Sequence, residues 1–175
     1  MKSTTKTLMI LIAALLVALP LAAQRGDDAD RVSKNGRTEG EIDGVGVVLE
    51  YGRPNVKGRA LWGELVPFDA VWRTGANEAT TIELSADATI NGEALPAGKY
   101  SMFTIPTEEG FTVIFNKVAS QWGAFNYNAD EDALRITVTP GTGEHVEAMD
   151  FVIDDGSVTM RWETVTVSFD VAGSG

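Results

Sequence analysis

The chain has 175 residues, 44% of them apolar, and its mean hydropathy is −0.01. These values fit one soluble globular domain with a hydrophobic core and exclude a fibrous or wholly disordered chain. With 25 acidic against 14 basic residues the net charge is −11, which argues against nucleic acid and anionic lipid surfaces as partners. There is no cysteine and only one histidine, His145, so disulfides, a thiol nucleophile and a cysteine–histidine zinc site are excluded.

Residues 1–23 have the composition of a secretory signal peptide. Two lysines precede an uninterrupted apolar run over 8–19, and small residues follow up to Ala23. The run is shorter than the roughly 20 apolar residues that a membrane-spanning helix needs, which favours a cleaved signal peptide over an uncleaved anchor. We therefore expect a periplasmic or secreted protein that has no stable membrane insertion after cleavage.

Residues 24–40 are polar and mixed in charge, and they predict a flexible leader between the signal peptide and the domain. From residue 41 onward, apolar residues alternate with polar or small ones in short runs that are typical of half-buried strands. The alternating positions are Val45, Val47, Leu49 and Tyr51; Ile82 and Leu84; Phe111, Val113 and Phe115; Leu134, Ile136 and Val138; Met149, Phe151 and Ile153. Asn91-Gly92 and the stretch 154–157 are turn signals between such runs.

In the last ribbon the parity of the apolar positions changes. Val158 and Trp162 share one parity, whereas Val165 and Val167 share the other, and a one-residue bulge between Trp162 and Val165 would keep both halves facing the core. About eight short strands, frequent turn signals and no convincing amphipathic helix predict an all-β fold. We expect an antiparallel β-sandwich or jelly-roll-like barrel, formed as a single domain by residues 41–175.

Basic residues are concentrated in one segment of this acidic domain. Four of the eight lysines and arginines between 42 and 175 fall within 53–73, a segment with only two acids. These four are Arg53, Lys57, Arg59 and Arg73. Guanidinium groups bind carboxylates or phosphates through two parallel hydrogen bonds, and the indole of Trp72 offers a flat face for a ring or a sugar.

Further polar groups follow this segment, beginning with Asn77 and Glu78. A second set of amide, ammonium and indole groups consists of Asn116, Lys117, Gln121 and Trp122. If the loops 53–62, 72–78 and 116–122 lie at the same end of the sandwich, they line a polar and aromatic cleft. The alternative is that the arginines pair with the domain's own carboxylates, Glu78 first among them, and hold the loops down.

Seven motifs along the chain carry a resemblance to a known family. They are YGRP at 51–54, VKGR at 56–59, LVP at 65–67, WRTGANEAT at 72–80, PAGKYSMFTIP at 96–106, FNK at 115–117 and QWG at 121–123. In this order they resemble the exported bacterial proteins catalogued as domain of unknown function 2911. The resemblance implies a β-rich domain behind a signal peptide, and it implies no catalytic residue, substrate or cofactor.

The leading hypothesis is a binding module for a small polar or anionic ligand. Arg53, Arg59 and Arg73 would hold carboxylate or phosphate oxygens, while Trp72 and Trp122 would stack on the ligand. This hypothesis requires the separate segments to open into one common hollow.

Two alternatives belong to other classes: a hydrolase or lyase that uses Glu78 as acid or base, and a structural or interaction protein of the cell envelope. The sequence predicts no cofactor. It predicts no metal site, because the alternating acids and amides at 126–132 lack the glycine and the final glutamate of a calcium loop. The oligomeric state is left open.

Overall fold

Ten strands and one 3-10 turn make up the regular structure of residues 25–174, which are the residues that the computed structural model describes. The strands are β1 (Lys34–Ile42), β2 (Val45–Arg53), β3 (Thr80–Leu84), β4 (Ala88–Ile90), β5 (Glu93–Leu95), β6 (Gly98–Pro106), β7 (Phe111–Asn116), β8 (Asp132–Val138), β9 (Gly141–Asp154) and β10 (Ser157–Gly173), with the 3-10 turn at Ala129–Glu131. One sheet has six strands in the order β1-β2-β3-β6-β7-β8, and the other has four in the order β5-β4-β10-β9. All neighbours are antiparallel, so the predicted all-β sandwich of one domain is confirmed.

Tight turns with left-handed backbone connect several neighbouring strands. Asn91 and Gly92, between β4 and β5, have φ values of 49° and 85°, and Asp155 and Gly156, between β9 and β10, have 46° and 80°. Asparagine, aspartate and glycine tolerate positive φ better than other residues, and this turn geometry matches the right-handed twist of the strands it joins. These turns therefore explain why short strands fold back on their neighbours.

The alternating apolar positions meet between the two sheets. In β2, Val45, Val47, Leu49 and Tyr51 are at most 3% exposed, and in β10 Trp162 is 1% exposed. Burial of apolar surface contributes about 25 cal/mol per Å² and is the main term that favours folding. The domain is thus stabilised by its core and not by disulfides, since the chain has no cysteine.

The predicted bulge in the last strand is confirmed at Glu163. The pairing of β10 with β9 shifts register on both sides of this residue, and Glu163 has a φ of 56°. The bulge lets Trp162 and Val167, which have opposite parities, both point into the core at 1% and 2% exposure.

The domain begins earlier than the sequence pattern predicts. β1 pairs with β2 along its whole length, from Lys34 opposite Arg53 to Ile42 opposite Val45, so the prediction of a flexible leader is wrong for residues 34–40. Most side chains of this edge strand are exposed or half-buried, and backbone pairing therefore holds it without an apolar alternation. The predicted signal peptide lies outside the described residues. Between residues 25 and 174 no helix has the length and apolarity to span a membrane.

Candidate ligand-binding site

A cavity of about 250 Å³ lies between loop segments and strand β10. Its polar and charged lining residues are Ser33, Asn55, Lys57, Arg59 and Arg73, and the rest of its lining is Val32, Pro54, Leu65, Val66, Trp72, Gly75, Ala76 and Trp162. We call this cavity the cationic pocket. Two of the three segments that the sequence singled out, around 53–62 and 72–78, therefore meet here.

The segment that carries Arg73 is fixed to the six-stranded sheet by hydrogen bonds on both sides of it. Trp72 and Thr104 of β6 exchange two backbone hydrogen bonds of 2.8 and 2.9 Å. The hydroxyl of Thr80 donates to the carbonyl of Thr74 at 2.6 Å, and Thr74 is 1% exposed. Arg73 thus extends from a rigid backbone, which is the condition for a well-defined binding group.

Close packing against Gly52 holds the same segment at its far end. The Ala76 amide donates to the Gly52 carbonyl at 3.3 Å, and a Cβ on residue 52 would lie 2.1 Å from the Ala76 carbonyl oxygen. Only glycine allows the two backbones to come this close. The wall of the cationic pocket therefore depends on a residue that does not line it.

The opposite loop is fixed to strand β9. The Val56 amide donates to the Glu147 carbonyl at 2.8 Å, and the Met149 amide donates to the Pro54 carbonyl at 3.0 Å. The Lys57 amide donates to the carboxylate of Glu147 at 2.9 Å. These bonds place the exposed side chain of Lys57 at the rim of the pocket.

Three indoles pack together beside the pocket. The rings of Trp72 and Trp162, both lining residues, stack at 5.7 Å between centroids with an angle of 17°. Trp62 meets both of them edge-on, at 5.9 and 5.8 Å. Aromatic contacts of this kind are stabilising and rigid, so the pocket has a fixed aromatic wall.

The charge of the cationic pocket opposes that of the domain. Lys57, Arg59 and Arg73 line it, and no aspartate or glutamate does so. None of the three cations forms an ion pair with any residue from 25 to 174. In a chain with 25 acidic residues, three unpaired cations around one cavity create a local site for negative charge.

Arg73 is the least satisfied of these cations. It is half-buried, its Nε is buried without a hydrogen-bond partner among the described residues, and burial lowers its pKa from the ordinary value because no carboxylate offsets the desolvation. The indole Nε1 of Trp162 is also buried without an acceptor in the same part of the chain. Buried donors are normally hydrogen-bonded, so two residues of the pocket lining each hold a donor that is left without an acceptor among residues 25–174.

The comparisons with known proteins give one result for the chain. A family model described as protein of unknown function (DUF2911) matches residues 33–171. The chain belongs to this family. The match begins inside the predicted leader, residues 24–40, and includes β1, in agreement with the earlier start of the domain. The search of the curated proteins gives no match, and the search of the solved structures gives none either.

Glu78 of this DUF2911 domain is paired outside the cationic pocket. Arg31 donates to both carboxylate oxygens of Glu78, at 2.5 and 2.6 Å. Nη1 of Arg25 lies 3.5 Å from Oε2 of the same carboxylate. The hydrogen bonds from Arg31 lower the pKa of Glu78 to about 2. A carboxylate so firmly ionised cannot serve as a general acid near neutral pH, and its partners come from the segment before β1 and not from Arg73.

Acid is expected to remove the stabilising contribution of Glu78. Its folded pKa of about 2 lies below the unfolded value of about 4.3, so the contribution is fully present above about pH 5 and is lost as the pH falls towards 2. Glu78→Gln should lower the free energy of unfolding by about 1–3 kcal/mol at pH 7. Urea denaturation at pH 7 and pH 2.5 measures this difference, which should shrink to less than half at the lower pH.

Glu93→Gln is the control for this experiment, because Glu93 is exposed and has no ion pair within residues 25–174. It should change the free energy of unfolding by less than about 0.5 kcal/mol at either pH. A cost of Glu78→Gln that is the same at pH 7 and pH 2.5 would contradict the role of the ionised carboxylate.

The third predicted segment, 116–122, does not reach the cationic pocket. Asn116 is fully buried and donates to Asp132 at 2.8 Å, and Gln121 donates to Asn116 at 3.2 Å. Trp122 is 57% exposed and lies under the guanidinium of Arg31, 6.0 Å from it. These side chains and the exposed Lys117 are therefore separate from the pocket, and Asn116 and Gln121 bind each other instead of a ligand.

Two further candidates support the pocket without lining it. Arg53 donates through Nε to the Met149 carbonyl at 3.1 Å, which ties the end of β2 to β9. Asn77 donates to the carbonyl of Ser33 at 3.1 Å, and Ser33 is a lining residue. Both side chains thus hold backbone that shapes the pocket walls.

Sequence reasoning missed three parts of the lining: the segment Val32-Ser33, Leu65-Val66 and Trp162. Two of these parts carry a signal in the sequence: Trp162 lies where the parity of the last ribbon changes, and Leu65-Val66 belongs to the motif LVP at 65–67. Over residues 25–174, no three histidine, aspartate or glutamate side chains are grouped closely enough to hold a metal ion.

Proposed function

We propose that this protein binds a small organic anion in the cationic pocket. The observation that carries the proposal is the half-buried guanidinium of Arg73, which has no carboxylate and no hydrogen-bond acceptor among residues 25–174. Lys57 and Arg59 line the same cavity. A carboxylate or phosphate of the ligand would supply the missing acceptors.

The energetics favour an incoming anion over an empty pocket. Taking a charged donor out of water without an acceptor costs about 1–3 kcal/mol or more. A charge-assisted pair of hydrogen bonds from a guanidinium to an anion recovers this cost and adds geometric specificity. The domain therefore keeps Arg73 partly desolvated at a cost to stability, as binding sites commonly do.

Binding accounts for the pocket better than catalysis by Glu78 does. Glu78 is ionised, paired with Arg31 and absent from the lining. The lining holds no carboxylate and no histidine, the groups that most often act as general base. The proposal for a hydrolase or lyase thus has no base at this site.

The proposed binding takes place outside the cytoplasm, in the periplasm or in the secreted protein. Residues 1–23 support this part of the proposal, since they have the charge, apolar core and small-residue order of a signal peptide. A ligand that the domain meets there is a solute of the surrounding fluid or a fragment of the envelope.

A role in partner binding is the second candidate. The loop 118–125 exposes three large apolar side chains, Val118 at 43%, Trp122 at 57% and Phe125 at 85%. Exposed aromatic residues close together are typical of contact surfaces. This role uses side chains that do not line the cationic pocket, so it would stand if anion titrations of the pocket gave no response.

Titration of the purified protein with benzoate and with phenyl phosphate is expected to change the tryptophan fluorescence, because Trp72 and Trp162 line the pocket. Arg73→Gln should weaken the binding of either anion roughly ten- to hundredfold, since it removes one charge-assisted hydrogen-bonded contact worth about 1.5–3 kcal/mol. Isothermal titration calorimetry measures the Kd of both forms.

Lys117→Ala is the matched control, because it removes one exposed positive charge away from the pocket. It should leave the Kd within about twofold, as a distant surface charge is screened by salt. Equal loss of affinity in Lys117→Ala and Arg73→Gln would point to long-range attraction alone and would overturn the proposed site.

A further inference from the structure

We infer that the ligand of the cationic pocket carries a dianionic phosphate monoester head on a compact apolar body and has no cationic group. This inference rests on the proposed function and narrows it to one ligand class. Three observations support it: the charges that line the cavity, its volume and the two indoles in its wall.

The number of cations favours a dianion. Lys57, Arg59 and Arg73 line the pocket without an acidic neighbour in the lining, and a monocarboxylate would offset only one of their charges. A phosphate monoester carries about −1.5 to −2 charges at pH 7 and offers three acceptor oxygens. Its tetrahedral head can accept hydrogen bonds from groups on two separate segments, whereas a planar carboxylate presents two oxygens in one plane.

Arg59 is already ordered for such a contact. Its Nε donates to the Val56 carbonyl at 3.1 Å and its Nη2 donates to the Asn55 carbonyl, which leaves Nη1 without a partner among the residues described. The side chain is exposed at the rim, yet its guanidinium is held in place by its own loop. An ordered binding group loses less conformational entropy on binding, so Arg59 is suited to a second contact with the anionic head.

The lining also excludes a ligand with its own positive charge. An ammonium group would need a carboxylate partner, and Glu78 is occupied by Arg31. Glu147 accepts from the Lys57 amide and lies 3.5 Å from His145 Nε2. Amino acids and other zwitterions would therefore bring a cation next to three cations, and like charges in a partly desolvated site are strongly disfavoured.

The volume and the apolar wall define the rest of the ligand. The volume of about 250 Å³ lies below the roughly 300–1,000 Å³ of pockets for drug-sized ligands. The stacked rings of Trp72 and Trp162, together with Val66, offer an apolar surface. A body of about one ring or a short carbon chain fits this space.

The second ionisation of the phosphate gives the inference a signature in pH. A monoester has a second pKa of about 6, so between pH 7.5 and pH 5 most of the ligand changes from dianion to monoanion. Lysine and arginine side chains ordinarily titrate well above this range. His145 and Glu163 face an adjacent cavity that shares Arg59, and together with Glu147 they are the nearby groups that need a control.

Calorimetric titration of the full protein with four probes tests the inference. At pH 7.5, phenyl phosphate should bind at least tenfold more tightly than benzoate and than inorganic phosphate, and free phenylalanine should give no heat of binding. At pH 5, the affinity for phenyl phosphate should fall about tenfold, while benzoate should change by less than threefold. His145→Gln should keep the same pH dependence, because the titrating group belongs to the ligand.

Several outcomes would overturn the inference. If benzoate binds as tightly as phenyl phosphate, the ligand need not be a dianion. If the dicarboxylate phthalate binds as tightly, the dianion need not be a phosphate. Binding of phenylalanine would show that zwitterions are not excluded. Loss of the pH dependence in His145→Gln assigns the titration to the protein. By contrast, no binding of any anion, in the intact protein and at either pH, overturns the proposed function itself.

Discussion

Gly52→Ala is expected to destabilise the domain by about 3 kcal/mol or more and to lower Tm by roughly 10 °C. The added Cβ would lie 2.1 Å from the Ala76 carbonyl oxygen, a distance at which one backbone has to move. Neither is free to do so, because Gly52 belongs to β2 and Ala76 follows a segment that is hydrogen-bonded to β6. Thermal and urea denaturation measure the effect.

Gly143→Ala is the matched control, since the atom closest to its new Cβ is the Thr166 methyl group, at 3.0 Å. The side chain of Thr166 is only half-buried and can rotate away more easily than a backbone can move, so the cost should stay below about 1 kcal/mol. The Gly52→Ala protein should also lose affinity for anions at temperatures where it is folded, because the movement displaces the segment of Arg73. A Gly52→Ala variant as stable as the parent would show that the two backbones are not in contact.

Trp162→Ala is expected to cost about 3–5 kcal/mol of the free energy of unfolding. The side chain is 1% exposed, stacks on Trp72 at 5.7 Å and meets the edge of Trp62 at 5.8 Å. Removal of the indole leaves a cavity between two sheets that cannot collapse freely. The substitution also removes one of the residues that line the cationic pocket. Urea denaturation measures the loss, and near-ultraviolet circular dichroism should show the disappearance of the signal from the stacked indoles.

Trp122→Ala provides the comparison for the same change at an exposed site. Trp122 is 57% exposed and its ring centroid lies 6.0 Å from the guanidinium of Arg31, so its loss should cost less than about 1 kcal/mol. It should leave the near-ultraviolet signal of the buried indoles in place. Equal costs for Trp162→Ala and Trp122→Ala would be inconsistent with the buried position of Trp162.

The sequence predicts the strands that contribute to the core, because a half-buried strand has to alternate. Val45, Val47 and Leu49 follow this rule, and the change of parity predicts a bulge between Trp162 and Val165, where the structure has it at Glu163. β1 is not predicted, because its side chains do not have to alternate. It is paired along its backbone and mostly exposed at its side chains, so its residues are free to be polar and resemble a linker.

The sequence predicts which types of residue form the candidate site, but it predicts only partly which of them lie together. Composition identifies Lys57, Arg59 and Arg73 as an excess of positive charge, and the structure brings them around one cavity. The alternative interpretation of the sequence pairs Glu78 with one of the arginines in 53–73, whereas the structure pairs it with Arg31 from the segment before β1. Adjacent side chains of an extended backbone point in opposite directions, so residues that are neighbours in the sequence need not face the same site. The pairing of segments that lie far apart in the sequence leaves no local pattern from which it can be predicted.

The position of β10 in the smaller sheet has a consequence for how the protein is made. This last strand lies between β4 and β9, so the β4–β5 hairpin has no neighbour until residues 157–173 have been synthesised. Two-stranded hairpins are marginally stable alone, and a sheet that waits for distant residues forms slowly. The smaller sheet would therefore stay incomplete, and the inner face of the larger sheet uncovered, until β10 is available.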